Sequence, residues 1–539
     1  MKTVKVLVNN ITASLDTGEG DVFMAAESKI KNSRLKLKPI KYSVHKKSVD
    51  ARKKSSVKLV YSVCIECECG DGFDVNCLKN HSLCALSDST INVVYGSSAI
   101  DGRIVVVGMG PAGMFCALLL AECGYKPLVI ERGDDVDTRI KKKESFYKDR
   151  VLDTESNIQF GAGGAGTFSD GKLVTRVNDP LCSYVLSKLH ELGAPDDILV
   201  KAKPHVGTDN LRTVVKNIDS RIRELGGEIM YRTRLDDIDF DSFGNVRSII
   251  VNNSTVIPCG ALVLCLGHSA RDTYSMLLEK DIAVTPKPFS VGVRIEHLRE
   301  DIDRALYGDF AGHAALGAAE YNLSHNTKER GVYTFCMCPG GEVVAAASEE
   351  NSVVVNGMSN YKRDGVNSNC AVAVSVFESD YGATPEGAIE FQRKLEQTAF
   401  MAGGGGYAVP ITTVGDFFER RKSSVPTKVK PTYMNSENCT LSDFSAFMPS
   451  FLYDSLRGGL AAFDKKIEGF AAPHAILSAF ETRTSAPLRI LRSESRSAIG
   501  HENLFPCGEG AGYAGGITSA AIDGLRCALE IIGRYAPEA

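Results

Sequence analysis

Three glycines, Gly108, Gly110 and Gly113, follow the uncharged apolar run at 104–107 and open the apolar stretch PAGMFCALLLAECG. A strand, a tight turn and a helix in that order make a phosphate cradle. The first glycine permits the turn, the second admits backbone to a diphosphate, and the third lets helix pack on strand. Pro111 suits the first helical turn, where its missing amide hydrogen has no intrahelical partner, and Ala112 follows it into the helix. Unpaired amides at that helix start favour an anion. A second apolar strand ends in Glu131 and Arg132, with Glu131 23 positions after Gly108. A carboxylate there accepts ribose hydroxyls and repels a 2′-phosphate, so the site favours FAD or NAD over NADP.

A second glycine turn, CGEGAGYAGGITSAAIDG, lies some 400 residues further on. A strand ending at Cys507 places Gly508, Glu509 and Gly510 near a diphosphate or ribityl chain. After Gly516, a helix beginning near Ile517 or Thr518 aims its positive end at a flavin's N1 and C2 carbonyl. An enzyme that binds NAD alone has no use for this returning turn, which favours FAD; an αβ crossover with a glycine cap is the plainer alternative, and an NAD-only dehydrogenase remains open.

Between these turns, GAGGAG and the residues after it are denser in glycine than a surface loop needs. Gly163, Gly164, Ala165 and Gly166 suit backbone laid against a flat ligand. Thr167 and Ser169 offer hydroxyls to ring or phosphate oxygens. Gly267, at the end of the strand pattern LVLCLG, puts His268, Ser269 and Arg271 beside a dinucleotide, with His268 either a catalytic group or a hydrogen-bonded loop residue. Leu235 joins the cofactor-binding set. Cys336 and Cys338 in TFCMCPGG are a candidate redox pair, although residues two apart on a regular strand lie nearly 7 Å apart. Two small residues packed on a strand are the alternative. Arg483, Arg489 and Arg492 form a candidate anion clamp or a solvated cluster. Asn356, Asn360 and Arg363 allow no assignment.

The chain resembles the bacterial family of FAD-dependent proteins often labelled NAD(FAD)-utilising dehydrogenases, a branch of the glutathione-reductase-like flavoproteins. The likeness rests on VVVGMGPAGMFCALLLAECG, ESNIQFGAGGAGTFSDGKL, LCLGHSARDTY, TFCMCPGGEVVAAASEE, VVNGMSNYKRDG, ETRTSAPLR and CGEGAGYAGGITSAAIDG. It implies FAD, redox chemistry and an inserted second domain, with Gly108, Gly110, Gly113, Glu131, Arg132, Glu509 and Gly510 as FAD contacts; the family label names no firm substrate. NADH or NADPH is a candidate electron donor, though no second convincing GxGxxG appears.

These residues must be positioned by an α/β fold: a Rossmann-like FAD-binding domain with an inserted α+β domain and a small N-terminal α/β domain. The expected boundaries are 1–95 for the N-terminal domain, 103–272 and 493–539 for the two parts of the FAD domain, and 273–492 for the insertion. Strands at 4–8 and 58–69, a helix at 21–31 and a linker at 96–102 complete the reading.

At 539 residues and 44% hydrophobic, the chain can bury two or three cores. It shows no membrane-length apolar run and no signal-peptide pattern at its start, so a cytoplasmic location and no membrane partner are expected. Sixteen scattered cysteines read as reduced thiols. Cys64, Cys67, Cys69, Cys77 and Cys84 lack paired CxxC spacing, and Cys67 and Cys69 continue the alternation of a strand's core face, so no metal is expected. The net charge of −4 excludes a uniformly basic chain, yet 29–58 carries twelve Lys or Arg against Asp50, a local +11. That stretch could dock RNA or another acidic partner, or form the solvated face of a strand. The oligomeric state is not encoded in any pattern found.

Overall fold

The computed structural model describes residues 2–86, 91–175, 177–327 and 329–537. An antiparallel four-stranded sheet opens the chain, in the spatial order Lys38–Asp50, Lys58–Cys69, Lys2–Ala13, Leu83–Ala85. Alternation puts Leu59, Tyr61, Val63, Ile65, Cys67 and Cys69 on one buried face. The helix Glu19–Asn32 covers that core with Val22, Ala26 and Ile30, four residues apart on one stripe. Cys67 and Cys69, expected on the core face of a strand, are buried there.

The second sheet has seven strands. Glu228–Met230, Leu128–Ile130, Arg103–Val107, Thr255–Leu264 and Leu504–Pro506 run parallel in that order, with Val105 opposite Leu128 on one side and Leu262 on the other. Val246–Val251 and Leu235–Phe240 extend the first half of Thr255–Leu264 as an antiparallel meander. Both faces of the parallel part are covered, which is why its strands read as unbroken apolar runs. Ile104 and Val106 pack against the helices Pro111–Glu122, Thr208–Glu224 and Ile517–Arg534; Val105 and Val107 face the meander and the helix Arg271–Glu279. That last helix straddles the expected boundary at 272 and buries Tyr274 and Leu277 in this core, so the chain leaves the second sheet only after Glu279.

A third sheet, also of seven strands, runs Ser324–Asn326, Gly331–Cys338, Asn367–Val376, Phe289–Leu298, Ile476–Glu481, Val409–Thr413, Cys439–Leu441. It is antiparallel except for its final pair, and the helices Pro385–Ala402 and Ser450–Asp464 complete its core. Val284–Pro286 and Leu488–Ile490 pair with each other where the chain leaves and re-enters the second sheet's core.

Residues 96–102 are pinned rather than loose. The Gly96 amide donates to the Ile532 carbonyl at 2.8 Å, and Ser98 bridges to Tyr535. A Cβ on Gly96 would lie 2.2 Å from the Arg534 carbonyl carbon, so close packing on the C-terminal helix explains the glycine there. Among the described residues, no helix is long and apolar enough to cross a membrane.

Candidate cofactor site

Gly108 ends its strand at φ +97°, and a Cβ there would meet the Cys265 carbonyl oxygen at 2.4 Å. Only glycine allows that turn. Gly113 serves the expected packing role: a Cβ would lie 1.9 Å from the Gly108 oxygen, so helix and strand touch backbone to backbone. The GAGGAG loop lies directly on this turn. Its Gly163 amide donates to the Met109 carbonyl at 2.7 Å, and a Cβ on Gly164 would approach the Gly110 Cα to 3.1 Å.

Glu131 locks the two loops together. Its carboxylate accepts from the amides of Met109, Gly133 and Gly161 at 2.8, 2.9 and 2.8 Å while still lining the cavity. The ribose role expected for it is therefore joined by a structural one. Arg132 stacks over the Phe160 ring at 4.1 Å and pairs with Glu155 and Asp272.

The returning segment closes the cavity from the other side. The Gly508 amide donates to Asp523 at 2.8 Å, which ties the turn to its own helix. Neither that helix, entered through Gly516, nor the helix entered through Gly110 has a side-chain cap, and both Gly110 and Gly516 line the cavity. Two helix N-termini with orphan amides thus open on one space, an arrangement suited to a ligand with several anionic or carbonyl oxygens.

Of the residues expected at the cofactor, the structure brings Gly108, Gly110, Pro111, Ala112, Glu131 and Arg132 to this cavity. Gly164, Ala165, Gly166, Ser169, Leu235 and Gly267 join them, as do Glu509, Gly516 and Ile517. Five serve behind the wall instead. Gly113 packs on the Gly108 backbone, Gly163 on the Thr167 and Val215 side chains, Gly508 on Ala112, and a Cβ on Gly510 would strike the Gly267 oxygen at 2.3 Å. Thr167, expected to reach ring or phosphate oxygens, is 1% exposed and spends its hydroxyl on the Ala162 carbonyl at 2.8 Å.

His268 lines the cavity, its Nδ1 2.8 Å from the Ser269 hydroxyl. Burial, aided by the charges of Arg483 and Arg271, pushes its pKa down to about 3, so the ring is neutral. Arg271, expected to face the dinucleotide, is instead buried with Glu396 at 2.7 Å and Glu349 at 2.5 Å. The expected cluster of three arginines is likewise divided. Arg483 pairs with Glu396 at 2.9 Å and lines the cavity; Arg489 reaches the Gly512 carbonyl, and Arg492 pairs with Asp523. Arg363 is committed to Asp170 and Glu320.

The third sheet and a neighbouring strand pair contribute a wall in which only Cys336 was expected. Glu481 and Thr484, at and just past the end of Ile476–Glu481, and Asn356, from the strand Val355–Met358 that pairs with Glu342–Ala345, line the cavity with Cys336, whereas Cys338 is fully buried behind it. Glu481 pairs with Arg294 at 2.7 Å; burial raises its carboxyl to about 7 even so. Lys172 and Asp170 line the cavity from the loop after GAGGAG. The blocks ETRTSAPLR and VVNGMSNYKRDG were visible as patterns, but nothing in them signalled that Glu481 and Asn356 would share one wall.

Residues 288–484 match the family described as FAD-dependent protein, C-terminal domain-like. Together with a cradle that fits a dinucleotide on both sides, this makes FAD the cofactor of a flavoprotein. The chain belongs to the same family as a protein of Clostridium beijerinckii, named only as uncharacterized, with which it is 45% identical over 545 residues, spanning 98% of this chain and 99% of that one. Solved structures with some likeness include CtdE in complex with FAD, at TM-score 0.31 and 13% identity over 80% of this chain and 84% of that one. The L-amino acid deaminase of Proteus myxofaciens reaches TM-score 0.36 at 9% identity, over 83% and 94%. Likeness this low carries no functional information.

Proposed function

We propose that the protein is an FAD-dependent oxidoreductase in which a donor reduces the flavin and a second substrate reoxidises it. Bound FAD supplies a two-electron acceptor and donor. The observation that carries the reading is a single cavity lined both by the two glycine turns, at Gly108 and Glu509, and by the third sheet, at Cys336 and Glu481.

In this reading the second sheet is a Rossmann-like FAD-binding domain, the region expected at 273–492 is inserted into it, and 1–95 is a separate N-terminal domain. Gly108, Gly110 and the uncapped helix after them hold the diphosphate, with Glu131 at the ribose. The helix after Gly516 turns its positive end to the cavity, where it favours negative charge on a reduced ring. Neutral His268 offers a hydrogen bond beside the cavity without adding charge. NADH and NADPH are the candidate donors.

The test is anaerobic mixing of the FAD-loaded protein with NADH and with NADPH while the flavin absorbance is followed. Bleaching by either identifies the donor. Protein that takes up no flavin under any refolding or loading condition rules the reading out, whereas stable flavin that neither nucleotide bleaches leaves the cofactor and removes the nicotinamide donor.

A further inference from the structure

The strand Gly331–Cys338 pairs regularly with Asn367–Val376 up to Phe335, opposite Ala371, and resumes at Cys338, opposite Asn369. Three steps on one strand match two on the other, so a bulge falls at the two cysteines. Cys336 sits at φ +45°, a conformation that a residue with a side chain adopts only at a cost. On a regular strand the two thiols would stand nearly 7 Å apart at their Cα atoms. The bulge removes that obstacle: the chain folds back so that the Cys338 thiol donates to the Cys336 carbonyl at 3.4 Å.

Two cations attend them. Arg294 donates to the Cys336 carbonyl at 2.6 Å and approaches the Cys338 sulfur at 3.5 Å, while Lys172 donates to the Met337 carbonyl between them. The neighbouring Cys338 thiol, together with these charges, holds the Cys336 thiol below its ordinary range, and the same neighbour relation with burial pushes Cys338 up. Cys336 faces the cavity and Cys338 is 0% exposed. An accessible, acidified thiol backed by a buried one is the asymmetry of an attacking and a resolving cysteine. Two small residues merely filling a strand require neither the bulge nor the cations.

We propose that Cys336 and Cys338 form a redox pair that exchanges two electrons with the bound flavin, alternating between a dithiol and an internal disulfide. Oxidation breaks two S–H bonds and forms one S–S bond, and the two electrons and two protons pass to oxidised FAD; the reverse transfer restores the thiols. The proposal rests on the FAD reading and is tested so that the two can fail separately.

Anaerobic dithionite titration of the oxidised holoprotein takes up about four electrons per FAD, against about two in C336S and C338S, because each couple accepts two. C370S, altered at a neighbouring thiol that bonds to the Phe335 carbonyl, retains the wild-type count. Independently of flavin, protein treated with diamide and then alkylated yields a peptide spanning 336–338 that is lighter by two hydrogens and carries no alkyl group. Uptake of about two electrons by the wild type overturns the proposal, as do two alkylated thiols after diamide or a loss of the extra electrons in C370S. Failure to bind flavin strikes the cofactor reading, and the peptide measurement still decides whether the thiols can join.

Discussion

The Ser269 hydroxyl accepts a hydrogen bond from Arg483 Nη1 at 3.0 Å and lies 2.8 Å from His268 Nδ1. The guanidinium can only donate to that oxygen, and the hydroxyl shares one hydrogen with the neutral ring at Nδ1. Burial is the main reason a second proton on the ring is refused, and the positive charge one residue behind adds to it.

That refusal has a consequence for stability. The unfolded chain's imidazole takes its proton near the ordinary 6.5, while the folded one waits until about 3. The unfolded state therefore binds more protons between those values, and stability falls as pH drops through that window and is fully present above it. Unfolding by urea at a series of pH values will show the decline, and H268Q, which cannot titrate, will show a shallower one. Equal slopes in the two proteins would remove His268 as a cause.

Glu396 holds Arg271 at 2.7 Å and Arg483 at 2.9 Å, all three fully buried or nearly so. Removing the shared carboxylate leaves the Arg483 guanidinium without its counter-charge and Arg271 with Glu349 alone. E396Q is expected to lose about 3–5 kcal/mol of unfolding free energy, measured by denaturant titration, and to loosen His268 through Arg483 and Ser269.

Glu131 is bound to three amides, and E131Q keeps one oxygen for Gly133 and Gly161 but turns an NH₂ toward the Met109 N–H. Leaving that donor unmatched costs about 1–3 kcal/mol. Gel filtration of the loaded variant should return colourless protein where the wild type stays yellow; full flavin retention would show that Glu131 is dispensable to the cradle.

Gly113 tests the backbone contact under the cradle. In G113A the added methyl meets the Gly108 oxygen, and helix and strand must separate, at a cost of about 1–3 kcal/mol. Thermal unfolding of the apoprotein reads this without reference to flavin, and an unchanged midpoint would contradict the packing described.

Much of this was legible in the chain. Gly108, Gly113 and Glu131 announce their strand, turn and helix because each role demands one residue type at one spacing. The helix starting at Ile517 and the alternating strand Lys58–Cys69 appear as expected for the same reason, that local periodicity determines which face is buried. Pairings across the fold left no such mark. Thr167 and Ser169 look alike in sequence, yet one bonds a carbonyl behind the wall and the other lines the cavity. Arg483 and Arg492 sit close in sequence and face different acids, Glu396 and Asp523, because strand direction and loop path decide what a long side chain meets. The bulge at Cys336 was equally silent, since it depends on the register of a partner strand some thirty residues away.

The strand Leu504–Pro506 takes its place beside Thr255–Leu264, and the helix Ile517–Arg534 packs on Pro111–Glu122. A chain still emerging from the ribosome has its first glycine turn long before it has this second half. Until residues 504–534 are released, Ala112 and its helix lack their cover and the cavity lacks the Gly516 wall. Flavin capture must then be a late event in biosynthesis, and early-terminated products would leave apolar helix surface open to chaperones rather than accumulate as yellow fragments.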